Sequence, residues 1–195
     1  MAFLRSVSAP EQGPVVYGES LVLRMPQMND YAAWAELRAQ SRDFLTPWEP
    51  EWTSTELTRS SFRRRLRHYS KEFKDDAGYA FFLFNADNDR LVGGITLSNV
   101  RRGVTQACAL GYWIGVPYAR SGFMTAAVRA VVPFVFDNLR LHRLEAACLP
   151  SNNASVGLLK KTGFANEGLA RRYLRINGRW QDHLLYALLE DDPRP

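Results

Sequence analysis

The stretch from Thr105 to Leu149 constrains this chain more than any other. A strand candidate, "TQACALGYWI", passes through "GVPYARSG" into a helix-like run, "FMTAAVRAVV", and a second strand candidate, "RLEAACLP", follows. Strand, crossover helix and strand imply a parallel pair, since antiparallel neighbours need only a short turn. The flanking segments argue for antiparallel pairing. "YAFFLFN" and "RLVGGITLSNV" are joined by the turn "ADND" and continue into "TQACALGYWI" as a meander. Near the end, "FANEGLARRYLRI" and "RWQDHLLYALL" flank Asn177-Gly178, the strongest short hairpin signal. The expected fold is α+β: a mixed, mostly antiparallel sheet with one splayed parallel strand pair, flanked by helices.

Residues 1–14 carry Ser, Pro and Gly with little periodicity and are expected as a flexible arm. Residues 15–195 are expected as a single domain, long enough to bury a full core. "SLVLRM" alternates as a strand, and "NDYAAWAELRAQ" reads as a helix with Asn29 or Asp30 at its N-cap. Beyond the loop "RDFLTPWEPEWTS" comes an amphipathic helix, "TELTRSSFRRRLRHYSKEF". Its stripe is Leu57, Phe62, Leu66, Tyr69 and Phe73, with Arg59, Arg63, Arg64, Arg65 and Arg67 largely off it. "NNASVGLLKKTG" reads as a helix stopped by Gly163.

No apolar run approaches the ~20 residues that span a bilayer, and the start has too short an apolar stretch for a signal peptide. The chain therefore reads as cytoplasmic, with no membrane partner. Cys108 and Cys148 read as reduced core residues. His68, His142 and His183 lack metal-ligand spacing, so no metal site is expected. The net charge of +5 favours an anionic partner without choosing between RNA and a nucleotide-bearing cofactor.

Chemistry enters at "YARSGFMTAA". Ser121, Gly122, Phe123, Met124 and Thr125 present backbone N–H groups at a helix start, where the dipole is positive. Gly122 admits a phosphate close to the backbone, and Arg120 adds a full charge at the rim. An ordinary capped turn is the alternative. Neither the P-loop pattern nor the dinucleotide glycine fingerprint is present, which disfavours an NTPase or a Rossmann oxidoreductase.

These residues resemble the cofactor motif of the GCN5-related N-acetyltransferases, Arg/Gln-x-x-Gly-x-Gly/Ala at a helix start. Gly122 fits the glycine, Arg120 falls one place late, and Thr125 and Ala127 fit the "T-x-A" that often follows. Ala119 and Met124 depart from the pattern. A second family motif, Asn-x-x-Ser with a Lys-x-Gly-Phe ending, is matched by Asn152, Ser155, Lys161, Gly163 and Phe164. "FLTPWEP", "SNVRRG", "LGYWIG" and "YLRINGRWQDHLLYAL" are similar to the branch that acetylates N-terminal alanine of ribosomal proteins, over about Leu21 to Leu189. The resemblance implies acetyl-CoA as cosubstrate, a protein N-terminus as acceptor, and Ser155 as the donor that protonates the leaving thiolate. For Asn152 and Ser155, plain first-turn helix chemistry is the alternative.

A strand ending at Trp113 and Ile114, beside a parallel strand ending at Leu149, can splay at a bulge and let the cofactor's amide arm pair there. A backbone N–H near Ile114 then meets the developing oxyanion. Glu145 is the candidate base through water, or else an ion-paired structural carboxylate. Trp48 and Glu49, with Pro50, are candidates for a lip of the acceptor groove, against an ordinary packed turn. Asp182 either faces the acceptor amine or is an exposed strand carboxylate. The Arg59 to Arg67 helix either contacts RNA or is a solvated face. Two other functions stay open: acetylation of a small-molecule amine, and a non-catalytic module that binds CoA or RNA.

Overall fold

The computed structural model describes residues 13–194. The expected arm therefore lies outside the described residues except for Gly13 and Pro14. The chain order is β1 (Val15–Gly18), β2 (Leu21–Arg24), α1 (Tyr31–Gln40), α2 (Arg42–Leu45), α3 (Arg59–Lys74), β3 (Tyr79–Asn85), β4 (Leu91–Arg101) and β5 (Ala107–Ile114). Then follow α4 (Phe123–Pro133), β6 (Arg143–Cys148), α5 (Asn153–Lys161), β7 (Ala165–Ile176) and β8 (Arg179–Leu189). One sheet holds the strands in the order β1-β2-β3-β4-β5-β6-β8-β7. Every neighbouring pair is antiparallel except β5 and β6.

Helices cover both faces of the sheet, which is why β3 is apolar from Ala80 to Phe84 on both of its faces. Phe81 and Leu83 enter the core beneath α4 and α5, with Val128, Val131, Leu144 and Leu159. Phe82 and Phe84 point the other way, to Trp34 of α1 and Phe62 of α3. One helix start differs from the sequence reading, and one cap residue is placed as expected without capping through its side chain. Thr58 caps α3 by accepting from the Ser61 N–H at 3.3 Å, so the helix begins at Arg59 rather than near Thr55. Asp30 stands at the cap position of α1, but its buried carboxylate accepts from Arg24 at 2.9 and 2.7 Å and from the Gln27 N–H at 2.7 Å. An ion pair has taken the oxygens that capping would use.

The splay lies where expected, but no bulge opens it. β5 and β6 pair only from Ala107 with Arg143 to Leu110 with Ala146. Beyond that, Gly111–Ile114 pair with β4 alone, and Ala147 and Cys148 pair with β8 alone. The register irregularities fall in β3 with β4, in β4 with β5 near Ser98 and Arg101, and in β7. A wedge opens because each strand follows its other neighbour as the sheet twists.

Candidate active site

Three features converge on this wedge. The first is the start of α4. Arg120 and Gly122 have φ of 61° and 85°, and Gly122 is the N-cap residue with no side chain capping the helix. The Ala126 N–H closes the first turn on Gly122 O at 3.0 Å. The amides of Phe123, Met124 and Thr125 precede that bond, in the turn where helices leave donors for an outside acceptor. A Cβ on Gly122 would meet nothing within 4 Å, so the space above these donors is open.

The second feature is the exposed edge of β5. Gly115 N–H donates to Val92 O at 2.8 Å. Backbone groups alternate in direction along a strand, so Trp113 also faces β4, while Tyr112 and Ile114 turn their N–H and C=O toward the wedge. On the α5 side, Asn152 Oδ1 accepts from the Ser155 N–H at 3.1 Å, which commits that oxygen to capping. The Ser155 side chain, 8% exposed, hydrogen-bonds the Tyr112 hydroxyl. Burial pushes the Tyr112 hydroxyl up, so it stays protonated at neutral pH. Burial likewise raises the Cys148 thiol, opposed by a hydrogen bond to Ser155.

The sequence reading missed Tyr112. Strand alternation was its only signal, since 108, 110 and 112 share the face that α5 covers. Position 159, one helical turn beyond Ser155, is a leucine sealed in the core. The available phenol comes from β5 instead.

The third feature is a cavity of about 380 Å3 on the opposite face, walled by Trp34, Trp52, Phe82 and Trp113 and reaching β5 at Gly111 and Tyr112. Gly94 makes room for it: a Cβ there would lie 2.5 Å from Trp113 Nε1. Three carboxylates line this cavity. Glu49 accepts from both Arg38 amino nitrogens at 2.7 and 2.6 Å and from Trp52 Nε1 at 2.8 Å. Glu56 pairs with Arg65 at 2.5 Å. Glu51, exposed at the mouth, has no ion-pair partner among the described residues.

Several expected residues lie elsewhere. Trp113, expected against the cofactor, turns its indole into this cavity, beneath the Arg38 guanidinium 5.0 Å from the ring centroid. Glu145 lies beside Ala109, in the paired part of β5 and β6, and is held by Arg101 and Arg143. That is the ion-paired alternative, with one carboxylate oxygen on each guanidinium. Glu49 lines the cavity but spends its charge on Arg38. Trp48 is 37% exposed and outside the lining. Asp182 is also outside it, accepting from the Arg172 N–H at 2.8 Å. In α3, Arg65 lines the cavity and is half-buried there.

Arg38 and Glu49 have side chains only 7% and 19% exposed. Arg38→Met would leave a largely buried carboxylate unpaired, so we expect a loss of about 3 kcal/mol in urea unfolding. A loss below about 1 kcal/mol would mean that the loop simply re-solvates Glu49.

Comparison with known proteins agrees with this geometry. The family model of the acetyltransferase (GNAT) domain matches residues 20–165. The ribosomal protein uS5 alanine N-acetyltransferase of Escherichia coli (strain K12) is 36% identical over 179 residues, covering 91% of this chain and 91% of that protein. The ribosomal-protein-S5-alanine acetyltransferase from Vibrio fischeri matches with a TM-score of 0.84 at 30% identity, over 94% of this chain and 100% of that one. Mycobacterium smegmatis RimJ in complex with CoA-disulfide also gives a TM-score of 0.84 at 30% identity, over 93% of this chain and 88% of that one. Fold and site together define an acyl-CoA-dependent N-acetyltransferase. The chain belongs to the GNAT acetyltransferase family, and within it is similar to the ribosomal-protein alanine acetyltransferases.

Proposed function

We propose that this chain transfers the acetyl group of acetyl-CoA to the α-amine of a protein N-terminus, with alanine of a ribosomal protein as the favoured acceptor, in the cytoplasm. The observation that carries this reading is the wedge itself. An uncapped helix start and a hydroxyl pair border it on one face, and a cavity reaches Tyr112 of β5 from the other.

Each residue then has a task. The amides of 123–125, with Arg120, hold the diphosphate. The free edges of Tyr112 and Ile114 pair with the amide arm, and the Ile114 N–H donates to the carbonyl oxygen as it gains charge. The amine entering from the cavity forms the new C–N bond, the C–S bond breaks, and Ser155 gives its proton to the sulfur as it takes one from the Tyr112 hydroxyl, which takes one from water in turn. The amine proton leaves to water.

Among the described residues, the cavity's one carboxylate without an ion-pair partner, Glu51, is exposed at the mouth, so the acceptor must arrive substantially neutral. An α-amine near pKa ~7.8 is roughly a quarter neutral at about pH 7.4, whereas a lysine near ~10.4 is about a thousandth neutral, a gap on the order of 3 kcal/mol. The test is an Ala-initiated peptide with one internal lysine, acetylated and mapped by mass spectrometry. Acetyl is expected on the N-terminus, at a rate rising about fourfold from pH 7 to 8 as the amine deprotonates. The cavity volume also falls in the small-ligand range, so small-molecule amines are the second reading. Modification chiefly at lysine, or turnover only with free small amines, would replace the N-terminal reading.

A further inference from the structure

The β7–β8 hairpin outruns the sheet. β6 pairs with Leu184–Leu189 of β8, whereas residues 179–183 pair only with β7. The protruding half is a two-stranded ribbon closed by Asn177 and Gly178, with φ of 44° and 75°. It carries Arg171, Arg172, Arg175 and Arg179, all exposed and none in an ion pair among the described residues. Tyr173 and Trp180 are 48% and 63% exposed on the same ribbon. Trp180 sits directly across from Arg175.

The ribbon is built to present these groups. An irregularity between Ala170 and Leu174 takes Arg171, Arg172 and Tyr173 out of the ladder. Arg172 holds φ of 48°, unusual for a side-chain-bearing residue, and Asp182 secures the excursion by accepting its N–H. The tip is tied to the acceptor cavity, because Asn177 N–H donates to Glu49 O at 2.9 Å and Glu51 abuts Gly178.

We propose that this ribbon docks single-stranded or looped RNA beside the acceptor cavity. Unpaired guanidinium groups suit phosphates, and exposed aromatic rings beside them suit unstacked bases. A second copy of the chain fits poorly, since a two-fold contact would set the arginines against themselves. The neighbouring cavity mouth carries the unpaired Glu51, so adjacent surfaces of opposite sign face a basic peptide and its RNA. The inference rests on the N-terminal acetylation reading for its biological setting, but its test does not use acetylation.

The measurement is fluorescence anisotropy of the full chain with a short labelled stem-loop RNA, titrated at several salt concentrations. With about four phosphate contacts, the log–log salt slope should be near −3. Arg171→Ala with Arg175→Ala should weaken binding at least tenfold and roughly halve that slope. Trp180→Ala should weaken binding about tenfold without changing the slope. Arg63→Ala with Arg67→Ala, on exposed α3 positions, should change neither. CoA affinity should hold in all three variants, which separates failure here from failure of the enzyme. Unchanged RNA binding in the ribbon variants would overturn the proposal. So would equal affinity for polyglutamate, which points to an acidic protein, or a dimer in sedimentation that Trp180→Ala abolishes.

Discussion

Gly122→Glu should lose CoA binding by roughly 100-fold or more in calorimetric titration, while the protein stays folded. Two causes act together. Gly122 sits at φ of 85°, where an L side chain costs about 1–2 kcal/mol, and the added carboxylate stands where the diphosphate is proposed to lie. The side chain itself meets no protein atom, so the fold has no steric reason to fail. Gly122→Asn separates the causes, because Asn tolerates the left-handed region and brings no charge. It should lose far less affinity than Glu. Unchanged affinity in a folded Gly122→Glu protein would remove the start of α4 from the cofactor site.

Ser155→Ala should lower kcat about 100-fold and change CoA affinity little, because a proton donor to sulfur matters only as the thiolate forms. Tyr112→Phe keeps the ring in the core and deletes the hydroxyl that Ser155 meets. If the two act as one relay, the double variant should be no slower than the slower single, a failure of additivity that separate roles would not produce. The pH profile adds a second readout. The raised Tyr112 pKa keeps the phenol protonated through neutral pH, so kcat should not fall on its account as pH rises to 9. Wild-type kcat in Ser155→Ala would reduce Ser155 to a helix-start residue, and another donor would have to be sought.

Much of the fold follows from short-range signals. Asn177-Gly178 accept the positive φ that a tight hairpin demands, and that turn lies where the dipeptide placed it. The strand–helix–strand spacing between Ala107 and Cys148 left little choice but a parallel pair, and β5 and β6 form it. Gly122 was legible for the same kind of reason, since a helix start and its permissive residue are neighbours in the chain.

The side chains that face one another at the site were not legible. Tyr112 and Ser155 are 43 residues apart and meet only because β5 lies beside β6 and α5 packs across both. Glu49, Glu145 and Asp182 looked equally available as carboxylates. Their partners are Arg38, Arg101 with Arg143, and the Arg172 amide, all but Arg143 on other elements, while Glu51 has no ion-pair partner among the described residues. Even the splay arises without a bulge, from two strands each following its other neighbour. Periodicity and turn sterics are properties of adjacent residues, so the chain carries them in its order. Whether a charge is spent or free depends on register and sheet order, which exist only once distant strands have paired.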